Sequence, residues 1–372
     1  MKKYIMPFLA ALLALTSCYD LDRAPYDQLS SSTFWQTEDQ CKSGLMGVYA
    51  SLKNTDLYGK MFMIDVNSDV AVGYDQYEAL QLGTCTPRTG FLNGKWQNGY
   101  NAVQRANLAI RSIGEAPIAE DAKNKMLGEA HFLRGAYYFV LANLYGKPYS
   151  PTSAKTDLAV PIKLTKNIED KVYTRATVEK TYEQVLEDLL TAEKHLKGQS
   201  RKSVTRAGHT ATCLLLSRVY LYMQNYTEAL KWAKACLEEQ GSLTDLNDYQ
   251  GTTFLTQTNP EVVFTMGGNF VGAGLSVGSG AFTVSNDLMQ WYTEDDLRKQ
   301  VFFDLPKEGV YPYKKASKKS GSRDISDNFV LRTAEAYLNL AEAAACLGNE
   351  YTTEALNAYN TIRERRLANY TE

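Results

Sequence analysis

Two stretches of this chain repeat one another, and that repeat limits the fold more than any other feature. Residues 209–240 read HTATCLLLSRVYLYMQNYTEALKWAKACLEEQ, and residues 334–365 read AEAYLNLAEAAACLGNEYTTEALNAYNTIRER. Each holds an apolar first segment, then a short turn, Q-N-Y in one and G-N-E-Y in the other. Each then reads T-E-A-L at the start of a second segment. Small residues (Ser217, Ala229 and Cys236; Ala341 and Ala355) fall where two paired helices would cross. Tyr220, Tyr226, Tyr337 and Tyr351 supply the large residues one turn away.

This is the pattern of a tetratricopeptide-type helix pair, with one extra turn residue in the second copy. A third, split unit is predicted near 128–196. GEAHFLRGAYYFVLANLYG (128–146) would be its first helix, with Gly135 small, and VEKTYEQVLEDLLTAEKHL (178–196) its second, with 147–177 inserted between them. One pair cannot bury its apolar face alone, so neighbouring pairs must stack into a continuous core. An unrelated helical bundle is the plainer alternative.

The remaining periodicity is also helical. Glu38 to Lys53 puts Leu45, Val48, Tyr49 and Leu52 on one face. Trp96 to Ile113 does the same with Trp96, Tyr100, Val103, Ile110 and Ile113. The helix from Lys125 stops at Gly146 and Pro148. The stretches 65–95 and 246–328 lack periodicity and are rich in Gly, Asn, Asp and Tyr, with VVFTMGG (262–268) a short strand at most. Loops this long in a compact domain are commonly functional. The predicted fold class is therefore mainly α: tetratricopeptide-type helix pairs packed against an irregular loop-rich region with little β. The domain spans 34–372, with helix pairs near 128–196, 209–240 and 334–366.

The N-terminus, MKKYIMPFLAALLALTSCYDLD, gives an address. Lys2 and Lys3 precede an apolar core from Ile5 to Leu15, the size of a signal-peptide core. A membrane-spanning helix needs about 20 apolar residues, so 1–17 reads as a leader and not a span. Leu15-Thr16-Ser17-Cys18 matches the bacterial lipobox, which predicts lipidation of Cys18 and a tether over 18–33. An ordinary secretory signal with an incidental cysteine is the plain alternative. Several acyl chains anchor stably, at about 0.8 kcal/mol per buried CH₂.

Composition excludes several functions. A net charge of −2 offers no basic field for nucleic acid. The wide spacing of Cys41, Cys85, Cys213, Cys236 and Cys346 contains no CxxC, so most of these read as small apolar core residues. Three scattered histidines (His131, His195 and His209) have no metal-ligand spacing. Gly274-Leu275-Ser276-Val277-Gly278 matches G-x-S-x-G, but a nucleophile elbow needs a later histidine and all three lie upstream. Glycoside hydrolysis needs a placed carboxylate pair, and Glu294-Asp295-Asp296 reads as a helix start. The reading calls for no catalytic residue, metal or cofactor.

The order of these features resembles the SusD-like (SusD/RagB) outer-membrane lipoproteins. After the lipobox come FWQTEDQCKSGLMGVYASL, then W-x₃-Y-x₂-V-x-R-A-N (Trp96 to Asn107) and GEAHFLRGAYYFVLANLYG-x-P. RATVEKTYEQVLEDL (Arg175 to Leu189) and LRTAEAYLNLAEA (Leu331 to Ala343) follow, the latter leading to NTIRERR. The resemblance covers essentially the whole chain. It implies a tetratricopeptide scaffold carrying an irregular half at the cell surface, as a lid on a SusC-like TonB-dependent transporter. It implies glycan capture, or peptide capture in some members, without catalysis. Family chains usually continue past I-R-x-R, whereas this one ends at Glu372, which reads as a truncated product or a short member.

Sugar capture needs aromatic faces and a few placed polar groups, and loops on a rigid scaffold are where these belong. The first loop offers Asn67, Asp69, Tyr74, Tyr77 and Arg88. The second offers Tyr249, Phe254, Asn269 and Phe270, and Trp291 and Tyr292 precede the acidic run. Trp96 lies on an apolar stripe and reads as core. Lys314, Lys315, Lys318, Lys319 and Arg323 read as a solvated loop that could attract acidic ligands. A docking protein of the envelope, with no small ligand, is the rival function.

Overall fold

The computed structural model describes residues 34–52, 71–73, 90–167, 169–265, 282–305, 311, 313–315 and 330–371. Residues 1–17, Cys18 and residues 19–33, on which the leader and tether expectations fall, lie outside them. The elements run α1 (Glu38–Leu52), β1 (Ala71–Gly73), α2 (Gly90–Glu115), α3 (Glu120–Tyr145), α4 (Val178–Leu196), α5 (His209–Tyr222) and α6 (Tyr226–Glu239). Then come β2 (Val262–Thr265), β3 (Phe282–Val284), α7 (Asn286–Gln290), α8 (Leu297–Phe302), β4 (Val330–Arg332), α9 (Thr333–Leu347) and α10 (Thr352–Glu364).

The helices stack in series. α1 pairs with α2, α3 with α4, α5 with α6, and α9 with α10. The second helix of each pair packs on the first of the next, and α9 takes its place beside α6 although 93 residues (240–332) intervene. The first pair, α1 with α2, joins helices read from the sequence as separate. α2 also starts at Gly90, inside the segment read as loop to residue 95, and Lys95 within it is 1% exposed.

Burial explains why α3 carries the stack. From Ala130 to Ala142 it is buried around most of its circumference, except the part-exposed His131, as expected of a helix with neighbours on several sides. α4 instead shows one stripe, Val178, Tyr182, Val185, Leu189 and Leu196, facing α3. Small residues permit the approach. A Cβ on Gly128 would lie 2.7 Å from Leu196 Cγ, and one on Gly135 would lie 3.1 Å from Leu189. Gly128→Ala is expected to cost about 1–3 kcal/mol by overpacking, read as a lower denaturation midpoint with unchanged m. The repeat's small positions Ser217, Ala229 and Cys236 are fully buried. Its two turns differ: Gln224 adopts φ 59, while the extra residue in the second copy forms a 3₁₀ turn after Gly348 at φ 110, a conformation that suits glycine.

The insertion between α3 and α4 is a strap tied by named groups. The Tyr100 hydroxyl donates to Pro161 O and that of Tyr138 to Lys163 O, both at 2.7 Å. Arg175 donates to Ala159 O at 2.7 Å and to Tyr145 O and Leu158 O at 2.9 Å. Thr177 caps α4 by accepting from Lys180 N at 3.2 Å. Below the strap Asp188, with no exposure, accepts from Arg134 Nε at 2.9 Å and Nη2 at 2.6 Å and faces His131 Nδ1 at 2.7 Å. Arg134 Nη1 reaches Asn107 Oδ1 at 2.9 Å, so one ionic node joins α2, α3 and α4.

Residues 240–332 leave the stack and return. β2 pairs antiparallel with β4 (Val262 with Arg332, Phe264 with Leu331, Thr265 with Val330) with a bulge at Val263. β1 pairs antiparallel with β3. This half has its own small core: Leu246, Phe254, Leu255, Val262, Val284, Met289, Phe302 and Phe303. Of the cysteines, Cys41, Cys213 and Cys236 are buried as expected, while Cys346 is exposed.

Candidate functional site

Two clefts open on the irregular half, and each rests on the small core. The first has a volume of about 530 Å³ and is walled by α8, the residues just before it, Phe303 to Leu305, Tyr311 and Lys314. Phe303, Leu305 and Tyr311 give it an apolar face, and Leu305 is 89% exposed. Its polar wall carries Gln300 and two ion pairs, Lys299 Nζ to Glu294 at 2.8 Å and Lys314 Nζ to Asp304 at 3.2 Å.

Local structure fixes this wall. Asp296 caps α8 by accepting from Arg298 N at 3.0 Å and also holds the Arg298 guanidinium, with Nη2 at 2.6 Å. That guanidinium lies 5.4 Å from the Tyr292 ring centroid, and the Tyr292 ring meets Phe303 at 5.7 Å. Tyr292 is thus half-buried, and burial pushes its hydroxyl pKa up. Its neighbour differs. Trp291 ends α7, where its N–H donates to Leu288 O at 3.1 Å, so its backbone is set, yet its side chain is among the most exposed at 83%.

The second cleft, about 460 Å³, is uncharged. Thr252, Thr253, Thr256 and Thr258 line it with hydroxyls, beside Asn259 and Tyr249. The Tyr249 hydroxyl is buried with no hydrogen-bond partner among the described residues. It lies against Gly251, where a Cβ would be 2.4 Å away.

The sequence-predicted residues separate accordingly. Trp291 is exposed among the described residues, Tyr292 supports the first cleft, and Tyr249 lines the second. Phe254 also lines the second cleft, from a position in its floor: it is 1% exposed and packs edge-on against Phe302 at 5.0 Å. Cys18, Asn67, Asp69, Tyr74, Tyr77, Arg88, Asn269 and Phe270 lie outside the described residues, as do Gly274 to Gly278, Lys318, Lys319 and Arg323. Trp96 packs with Tyr100 and Tyr145, each at 4.9 Å. Lys299, Gln300, Leu305 and Tyr311 were not singled out from the sequence. The T-T-F-L-T-Q-T run (252–258) is a legible sign of a hydroxyl-lined wall. Among the described residues no three His, Cys, Asp or Glu side chains converge as for a metal ion. No described helix is long and apolar enough to cross a membrane.

Comparison with known proteins covers nearly the entire chain. Residues 20–221 match the SusD-like family described as starch-binding and associating with the outer membrane, and residues 249–372 match the SusD family. SusD-like protein P2 of Formosa agariphila is 24% identical, over 98% of this chain and 82% of its own. A SusD-like protein of Bacteroides ovatus is 23% identical over 99% and 77%. Among solved structures, a Bacteroides vulgatus protein named for sugar binding superposes with TM-score 0.78 at 25% identity, covering 89% of this chain and 78% of that one. A SusD superfamily protein of Bacteroides thetaiotaomicron gives 0.74 at 21%, covering 90% and 81%.

Proposed function

This chain belongs to the SusD family, and from that membership we propose that it captures glycan at the outer face of the outer membrane. In this reading Cys18 carries the lipid and a SusC-like TonB-dependent transporter receives the oligosaccharide or polysaccharide. The chain holds its ligand without transforming it. The observation that carries the reading is Trp291, 83% exposed on a fixed backbone at the edge of the irregular half. Burying an indole face against the C–H face of a sugar ring repays an exposure that is otherwise unfavourable. The neighbouring segment supplies carboxylates, an amide and ammonium groups suited to sugar hydroxyls.

Trp291→Ala in the chain from residue 19 is expected to weaken retardation on a matching polysaccharide about tenfold. Affinity electrophoresis across a polysaccharide panel measures it. The thermal midpoint should hold, because an exposed ring contributes within about 0.5 kcal/mol. Equal retardation of variant and parent would reject Trp291 as the platform. Retardation on no glycan would move the reading to peptide capture or envelope docking.

A further inference from the structure

A third cleft, about 290 Å³, lies away from the irregular half's two, between α1, α3 and the linker from α4 to α5. Its charges do not balance. Glu38, Asp121 and Glu129 line it, and each is already engaged. Glu38 meets Lys42 Nζ at 2.8 Å, and Asp121 accepts from Gln199 Nε2 at 2.8 Å. Glu129, 2% exposed, accepts from the Tyr49 hydroxyl and from Arg206 Nε, each at 2.6 Å. Three further cations, Lys125, Arg201 and Lys202, line the same cleft with no carboxylate partner among the described residues. Lys125 donates to Ser200 O, and Arg201 donates to Val263 O. Both acceptors are neutral carbonyls.

Arg201 is the informative member. Its side chain is half-buried against Gly208, where a Cβ would sit 3.3 Å from it. Burial pushes its guanidinium pKa down and no neighbouring charge opposes this. A buried charge is ordinarily paired, because leaving it uncompensated costs several kcal/mol. A guanidinium fork sharing one cleft with two ammonium groups suits a tetrahedral oxyanion.

We propose that this cleft binds a phosphate-type oxyanion through Arg201, Lys125 and Lys202. The oxyanion is either free phosphate or the headgroup of an anionic lipid. Position favours the headgroup: the described chain begins at Phe34, and Glu38, four residues on, is already in the cleft wall. In the lipid-anchored reading, the lipidated Cys18 precedes Phe34 by only 16 residues. That choice of source rests on the lipid-anchored reading above; the oxyanion site itself does not.

The test uses the chain from residue 19, which keeps every described element, with Arg201→Gln and Lys202→Gln variants. Inorganic phosphate should raise the parent's melting midpoint by about 2–4 °C against chloride at equal ionic strength, and the variants by less than half of that. Without phosphate, Arg201→Gln should melt no lower than the parent, since it removes an unpaired charge. A purely structural arginine would give a lower midpoint. Vesicles of phosphatidylcholine with 20% phosphatidylglycerol separate the sources. Capture by these and not by pure phosphatidylcholine, reduced about tenfold in Lys202→Gln, assigns the headgroup. A phosphate shift without vesicle capture assigns the free anion. No phosphate shift and no selective capture, or equal responses in parent and variants, would overturn the site. None of these readouts involves glycan, so the site fails or stands apart from glycan capture.

Discussion

Asp188→Ala is expected to lower the unfolding free energy by about 3–5 kcal/mol, because it leaves the buried Arg134 guanidinium without its counter-charge. Asp188 has no exposure and Arg134 is 7% exposed. The pair is fixed by Nε on Oδ2 and Nη2 on Oδ1, with Asn107 holding Nη1 and His131 Nδ1 also facing Oδ1. Removal of one partner is the costly change. Replacing both by apolar residues, Asp188→Leu with Arg134→Met, should recover much of the loss, since a buried ion pair is not in itself strongly stabilising. Urea unfolding of the two single variants and the double variant measures the coupling. Additive losses would mean that the pair is not a unit.

The same node has a pH signature. Burial alone would raise the Asp188 pKa, but the His131 hydrogen bond and the Arg134 charge outweigh it, so the carboxyl lies below its ordinary value. A carboxylate depressed in the folded state contributes fully above its unfolded pKa of about 4 and loses that contribution as pH falls through the folded value. The stability gap between the parent and Asp188→Asn should therefore hold near neutrality and shrink below about pH 4.

Helix content was legible because apolar residues recur at three and four along α1, α4 and the two repeat copies, and that spacing is what burial of one face requires. The α1–α2 pair was not legible, since 37 residues (53–89) separate its members and only packing brings them together. The start of α2 was hidden by Gly90 and Gly94, which fall in the stretch read as loop to residue 95; within the helix, the absent side chain at Gly99 admits Leu141, 2.5 Å from where a Cβ would stand. The site shows the sharpest limit. Phe254 and Trp291 are both loop aromatics in sequence. One is enclosed by Tyr249, Phe302 and the guanidinium groups of Arg332 and Arg366, and the other is 83% exposed among the described residues. That difference depends on residues up to 112 positions away (254 to 366), beyond any local pattern.

Those arginines also decide how firmly the clefts are held. Glu261, fully buried, accepts from Thr244 N at 2.9 Å, from Arg332 Nη1 at 3.2 Å and from Arg366 Nη2. Residues 365–368 run as a clasp: Arg365 O accepts from Leu246 N at 3.0 Å, Arg366 O from Leu297 N at 2.9 Å, and Ala368 N donates to Asp295 O at 2.8 Å. Glu261→Gln keeps the shape but removes the charge facing two guanidinium groups, and a loss of about 3–5 kcal/mol is expected. The loss should be regional, because the α3–α4 interface contains none of these groups. Hydrogen exchange should quicken at Leu246, Leu255, Leu297 and Ala368 by two to three orders of magnitude while Leu133 and Leu189 keep their protection. Trp291 and Lys299 lie beside Asp295 and Leu297, the segment that the clasp secures, so glycan retardation should weaken in step with that exchange. Equal quickening in α3 and α4 would instead make stack and irregular half one cooperative unit. In that case the buried carboxylate would support the fold as a whole, with no separate hold on the cleft.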